Sequence, residues 1–480
     1  MCIGKTGTIF KEIIFFQLIL PLKGSLRISK LNYYACIVSI LLTINSTSGQ
    51  TTMDLSQCID YALVHHTDVL SAHIDEEIAL QNVRKTASSG YPQINVYGTF
   101  DDNIKIPLVA LPAIFFDRTA PADAIVPVRF GVQYTSSAYA QLDQIIYMGT
   151  YWVGLKASKV SRVYYCQSSQ QVIENTIYNV SKSYFQYLVS IQRVEVQKSN
   201  LEKSQNLFQI VDLQFKNDVA TKADRDRVFV DYNNQLTELR TLQRSVKASL
   251  NQLKFQIGMP VSEQVEIAPV NADTTTLFQL DELSDKPNYW KRADYKLMQT
   301  QRELGALQVK QYTSEYQPQL TAFAKYQYQA FSEEFNLWKK EWFNSQVVGL
   351  RLTVPVFSGF KRSSQVQQYR LELKKMEISI SRLEQQINIE LSNAFDDFNT
   401  SVDNIRLAGE SIKLAQLVYD SEILSYKEGV GAYSDFLNAT NSLKVAQVNY
   451  ITSLFNAYLA RLELAKSQGK ISEVIKWIGK

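Results

Sequence analysis

With 480 residues the chain is long enough for several domains. Its formal net charge is only +3 and its lysines and arginines are spread along it, which excludes the basic cluster of a nucleic-acid-binding surface. Charged residues make up 20%, below the roughly one quarter usual in soluble domains, while aromatics reach 11%. After position 50 no run of ~20 apolar residues occurs, so no membrane-spanning helix is expected in the mature chain.

At the start, Arg27 and Lys30 precede an apolar stretch from Tyr33 to Ile44, followed by Asn45-Ser46-Thr47-Ser48-Gly49. That is the order of regions in a secretory signal, so residues 1–49 are assigned to a signal peptide cleaved before Gln50; a short buried helix is the alternative. Cys2 and Cys36 fall in this leader. Cys58 and Cys166 remain, far apart, and read as small buried thiols.

The rest is a duplication. Phe215-Lys216-Asn217-Asp218-Val219-Ala220 recurs as Tyr426-Lys427-Glu428-Gly429-Val430-Gly431, and Asp224 recurs as Asp435. Tyr147-Met148-Gly149 recurs as Phe357-Ser358-Gly359, and Asp68 and Pro92 recur as Asp294 and Pro318. The unit is far longer than a solenoid repeat. Residues 50–257 form the first structural repeat, 258–290 a linker, 291–465 the second repeat and 466–480 a tail.

Each repeat combines strands with long helices. Ile94, Val96, Gly98 and Phe100 alternate with polar neighbours, as do Phe130, Val132 and Tyr134. In the second repeat Leu320, Ala322, Ala324, Tyr326 and Tyr328 do so, and then Val348, Leu350, Leu352 and Val354. These read as four strands with one polar face, joined in pairs by loops at 101–128 and near 330–343. From Leu155 to Ile257, and from Lys361 to Ala408, there is neither Gly nor Pro, so long helices are expected. Ile173, Val180, Tyr184, Tyr187 and Ile191 give them a narrow apolar seam. Each run reverses as a helical hairpin, near 217–222 and 428–433. Gly429 and Gly431 supply positive-φ freedom in one turn, and Asp218, which tolerates left-handed geometry, stands in the other.

Polar-in, apolar-out strands on an exported chain suggest an outer-membrane barrel, although a soluble β-sandwich alternates as well. Only a closed barrel satisfies every backbone group in lipid, and closure needs about eight strands or more. Four strands per chain therefore require several chains. Three copies give twelve strands in a closed cyclic assembly.

These residues resemble the TolC-type outer-membrane efflux and secretion ducts, from about Asp54 to Glu463. Asp54 through Ala62 looks like that family's opening helix, with Asp54 and Gln57 placed as a capping box. Tyr91-Pro92-Gln93-Ile94 and Gln317-Pro318-Gln319-Leu320 resemble its strand starts. Val354 through Phe360 is similar to its strand-to-helix junction, and Leu253 through Gly258 to the end of its first hairpin.

The resemblance implies an α+β membrane protein. Its long α-helical hairpins would form a coiled-coil-like periplasmic tunnel, and its four strands would contribute to a trimeric 12-stranded transmembrane β-barrel. It implies a passive duct without enzymatic activity or cofactor. The duct would be a homotrimer in the lipid bilayer of the outer membrane, docked to a periplasmic adaptor and served by an inner-membrane RND or ABC pump.

The periplasmic gate then maps to Tyr426, Asp435 and Asn438 of the second hairpin, with Asp224 and Asp226 nearby. Asn438 stands where the family has an inner aspartate, and Gly431 where it has a gate-locking arginine. Three Asp435 carboxylates around a pore would favour cations; otherwise such acids simply cap returning helices. Asn217, Asp218, Val219, Glu428, Gly429 and Val430 map to the adaptor-docking grooves, and would otherwise be tight turns. Arg351 and Lys325 would face the lumen, and Phe100, Tyr134, Tyr326 and Tyr328 the lipid or an aromatic girdle.

Other classes fit less well. His65 and Asp68, placed on one helical face, lack a third metal ligand at suitable spacing. No phosphate-binding glycine loop or nucleophile elbow is found. The rival from another class is a periplasmic coiled-coil adaptor or scaffold without a pore.

Overall fold

A computed structural model describes residues 52–121, 123–268, 287–335, 340–428 and 430–473. The assigned leader and much of the expected linker lie outside these residues.

The chain opens with a short strand, β1 (Thr52–Met53), and two helices, α1 (Leu55–His65) and α2 (Thr67–Ser88). The expected capping box starts α1: the Gln57 amide donates to Asp54 Oδ1 at 2.7 Å, and the Asp54 amide to Gln57 Oε1 at 2.9 Å. The chain breaks at His66, whose extended backbone (φ −67, ψ 129) ends α1 and whose Nδ1 accepts from the Asp68 amide at 3.2 Å. His65 and Asp68 therefore stand on different helices, not on one face as their spacing suggested.

The first repeat continues through β2 (Gln93–Asp102), β3 (Leu108–Pro112), β4 (Ile125–Arg129), β5 (Tyr134–Tyr147), α3 (Gly149–Lys216) and α4 (Lys222–Ile257). After β6 (Glu266–Ile267), which pairs in parallel with β1, the second repeat has α5 (Ala293–Ser314), β7 (Gln319–Ser332), β8 (Phe343–Thr353), α6 (Lys361–Lys427) and α7 (Tyr433–Ser467). The duplication is metrical: 22 and 22 residues in α2 and α5, 68 and 67 in α3 and α6, 36 and 35 in α4 and α7. At 1.5 Å per residue α3 is about 100 Å long.

The expected strand around 130–135 begins only at Tyr134. Gly131 holds φ +143, and Asn103 ties this corner by donating from its amide to Gln133 O at 2.7 Å and from Nδ2 to Val132 O at 3.0 Å. The loop expected over 101–128 is not plain loop either, since β3 and β4 pair within it.

β2, β5, β7 and β8 form one antiparallel sheet in that order, so the two repeats meet at β5–β7. Paired residues share a face. Asn95, Gln141 and Lys325 line one side, whereas Val96, Ala140 and Tyr326 line the other. Among the described residues β2 and β8 each leave one edge open.

Among the helices, α3 packs against α2, α4, α5 and α7, and α6 against α5 and α7. The largest core lies where the hairpins root: Ile59 of α1, Val180 and Tyr184 of α3, Leu253 and Ile257 of α4 and Leu462 of α7. Of the seam read from sequence, Val180, Tyr184 and Tyr187 are buried in this core and Ile173 and Ile191 pack at its rim. Cys58 is buried there too, and burial, aided by Asp54, pushes its thiol up to about 12; Cys166 is half-buried. Native protein treated with iodoacetamide at pH 8 should therefore leave Cys58 unmodified, and peptide mass mapping will show whether it does.

Both hairpins are seated alike. Gly258 ends α4 at φ +76, and a Cβ there would lie 2.7 Å from the His65 carbonyl oxygen. Gly469, just beyond α7 at φ +69, lies as close to Lys291, with 2.9 Å to its carbonyl carbon and oxygen. Each glycine presses on the backbone just before a 22-residue helix.

Candidate functional site: helical tips and the two-faced sheet

The first tip turns through Asn217 and Asp218, and Asp218 does take a left-handed conformation (φ 58). Thr221 caps α4 by accepting from the Asp224 amide at 3.2 Å, and its hydroxyl donates to Asp224 Oδ2 at 2.6 Å. Around this cap lies an ion cluster. Asp212 accepts from Lys216 Nζ and from Arg225 Nε, both at 2.7 Å, which hold its carboxyl below the usual range. Arg225 also reaches Asp226 at 3.3 Å, and Arg227 reaches Asp224 at 3.5 Å. Both acids read as gate candidates are thus engaged by arginines of their own helix. The sequence reading missed Asp212, Arg225 and Arg227; the Asp-Arg-Asp-Arg run at 224–227 was the available signal.

At the second tip Tyr426 is half-buried. Its ring lies 5.8 Å from Phe436 and 5.9 Å from Tyr433, and burial raises its hydroxyl pKa, with Asp224 adding to the shift. Tyr433 is pushed up to about 12, by burial first and then by Asp231 and Tyr426. The structure therefore brings Tyr426 and Asp224 together across the two hairpins. Asp435 and Asn438 are instead exposed on one face of the first turns of α7, opposite the buried Phe436 and Ala439. Asn217, Asp218, Val219, Glu428 and Val430 are all exposed; Gly429 lies outside the described residues. Gly431 is not in the positive-φ region expected of it. Its lack of a side chain serves close approach instead, since a Cβ would meet Ser425 Cβ at 3.0 Å.

Higher up, cross-links join the hairpins. Lys444 of α7 pairs with Glu238 of α4, and Lys203 of α3 lies 4.8 Å over the Tyr419 ring of α6. Arg193 of α3 donates to Thr452 of α7 at 3.1 Å.

On the sheet, Lys325 Nζ sits 3.9 Å over the Tyr139 ring and Arg351 5.1 Å over Phe323. Both cations lie on the polar face, as their alternation indicated. Phe100, Tyr134, Tyr326 and Tyr328 share the opposite, apolar face, where Phe335 packs edge-on against Phe100 and Tyr134 at 5.7 Å each.

Among the described residues no helix is long and apolar enough to cross a membrane. The described residues thus join a two-faced antiparallel sheet to two pairs of long helices, the longest about 100 Å.

Residues 292–470 match the family model for outer membrane efflux proteins. The chain is 21% identical over 361 residues to the outer membrane protein TolC of Escherichia coli (strain K12), covering 70% of each chain. It is 22% identical over 129 residues to the outer membrane efflux protein BepC of Brucella suis biovar 1 (strain 1330), a match spanning 27% of this chain and only 28% of BepC. Its fold matches the outer membrane protein VceC of Vibrio cholerae with a TM-score of 0.67 at 16% identity, covering 86% of this chain and 96% of that one. Residues 292–470 thus carry the likeness to outer membrane efflux proteins, and the chain as a whole shares the fold of these outer membrane proteins.

Proposed function

We propose that this chain is the exit duct of a tripartite efflux pump or a type I secretion system, a passive conduit from periplasm to exterior. The observation that carries this reading is the sheet: four antiparallel strands, polar on one face and apolar on the other, with both edges open. Open edges are not tolerated in hydrocarbon. Three copies joined edge to edge give a closed twelve-stranded barrel, with Lys325 and Arg351 toward its lumen. The helices of all three then form the periplasmic tunnel. The units 50–257 and 291–465 would be its two repeats, joined by 258–290.

The tips are the closed end in this reading. The exposed turns at 217–219 and 428–430 dock a periplasmic adaptor, which serves an RND or ABC pump in the inner membrane. Three exposed Asp435 carboxylates, with Asn438 one turn further on, ring the narrow end. Tyr426, held in the aromatic cluster beside Asp224, fixes the second tip against the first; Asp226 acts through Arg225.

Light scattering of the protein extracted in mild detergent should give a mass of three chains, and a monomer would sink the shared barrel. In planar bilayers Asp435→Ala should raise single-channel conductance or alter cation selectivity. Unchanged current and selectivity would remove Asp435 from the gate.

A further inference from the structure

The segment between β2 and β5 carries apolar surface that nothing among the described residues covers. β3 and β4 form an antiparallel ribbon in which Leu108 opposes Arg129 and Pro112 opposes Ile125. The ribbon stands at the end of the sheet away from the helices, since it follows the Asp102–Tyr134 pair, whereas Gln93 and Tyr147 connect to α2 and α3. Both of its faces are largely apolar, with Arg129 the one charge, paired with Leu108. Val109, Leu111, Val126 and Val128 share one, and Leu108 and Ile125 lie on the other. Between its strands a short 3-10 turn leaves Ile114, Phe115 and Phe116 exposed, Phe115 by 76%.

An isolated two-stranded ribbon is marginal in water, and contiguous exposed apolar surface marks a contact. Hydrocarbon cannot supply the cover, because the outer edges of β3 and β4 would leave N–H and C=O groups unpaired there. A membrane surface would cover one face and leave the other wet. The ribbon needs protein on both sides. β2, whose open edge is the seam to the next copy in the duct, runs directly into β3, so the ribbon emerges at that seam. In a three-fold ring each ribbon has a copy of this chain on either side.

We infer that the β3–β4 ribbons of three copies pack face to face over the outer mouth of the duct, with Phe115 and Phe116 at the centre of an apolar constriction. The inference rests on the trimeric duct reading. It adds a second barrier, at the end opposite the helical tips, which would hold back water and ions by dewetting.

The test uses the full-length Phe115→Cys variant in detergent, treated with a short bis-maleimide; Cys58 is buried and the unsubstituted chain is the control for Cys166. Particles whose mass is three chains should yield covalent dimers absent from the control, the limit for one new thiol per chain and a two-armed reagent. In bilayers Phe116→Asp should raise the open-channel current at least twofold. A three-chain particle without new cross-links, or with unchanged current, overturns the cap and leaves the duct intact. A single-chain particle overturns both, and light scattering tells the two failures apart.

Discussion

Gly258→Ala should destabilise the protein by roughly 3 kcal/mol, because the new methyl group meets backbone that has nowhere to go. Gly258 sits at φ +76, where any Cβ is strained. The ideal Cβ position also lies 2.7 Å from the carbonyl oxygen and 2.8 Å from the carbonyl carbon of His65, and 2.9 Å from the His66 nitrogen. Those atoms belong to the break between α1 and α2. They are held by the end of α1, where the His66 amide donates to Ala62 O at 2.8 Å, and by the core around Ile59 and Ile257. Gly359 separates the two effects: it has φ +59, but no atom lies within 4 Å of a Cβ there. Gly359→Ala should therefore cost only the left-handed penalty, about 1 kcal/mol. The denaturation midpoints of the helical circular-dichroism signal compare them, and equal shifts for the two variants would refute the clash at Gly258.

Arg292→Ala should cost about 3 kcal/mol or more, since it strands charges that one guanidinium now serves. The Arg292 side chain is only 10% exposed. Its Nε and Nη2 donate to Asp294 at 3.0 and 2.6 Å, and its Nη1 donates to Glu390 at 2.9 Å and to the Ser467 carbonyl at 3.4 Å. Burial opposes the charge, but Asp294 and then Glu390 outweigh it and raise the guanidinium pKa above its ordinary value. One side chain thus ties the start of α5 to the middle of α6 and the end of α7. Arg292→Lys should recover only part of the loss, because a point charge does not reproduce the fork. Glu390→Gln should matter less in the Arg292→Ala background than in the native one. Strictly additive losses would show that the two do not act together.

The long helices were legible because exclusion of Gly and Pro over 100 residues leaves little else, and the reversals because the two copies break at matching places. Strands β2, β7 and β8 were legible through high-contrast alternation. β5 was not: Ser136, Ser137, Ala138 and Ala140 blur the two faces, and only pairing with β2 and β7 defines them. At the tips, positions could be read from the repeat but partners could not. Arg225 and Asp212 belong to different helices and meet only because the turn folds them together. Tyr426 could be placed at the tip from the repeat, but its ring neighbours Tyr433 and Phe436 are visible only in the packing. Gly431 satisfied a steric need that no φ argument reveals. The match between Gly258 and Gly469 went unread because their flanking residues differ; what they share is the backbone each one touches.

In the duct proposed above, that shared seating would let each hairpin act as a lever. The pivot is the glycine at the root, and the arm is α4 or α7, 36 and 35 residues long. At 1.5 Å per residue the arm is about 54 Å, so a rotation of about 5° at the root sweeps the tip through about 5 Å. An iris driven this way would widen without unwinding a single helical turn. The stiffness of two glycine contacts, far from the aperture, would then govern how wide it goes.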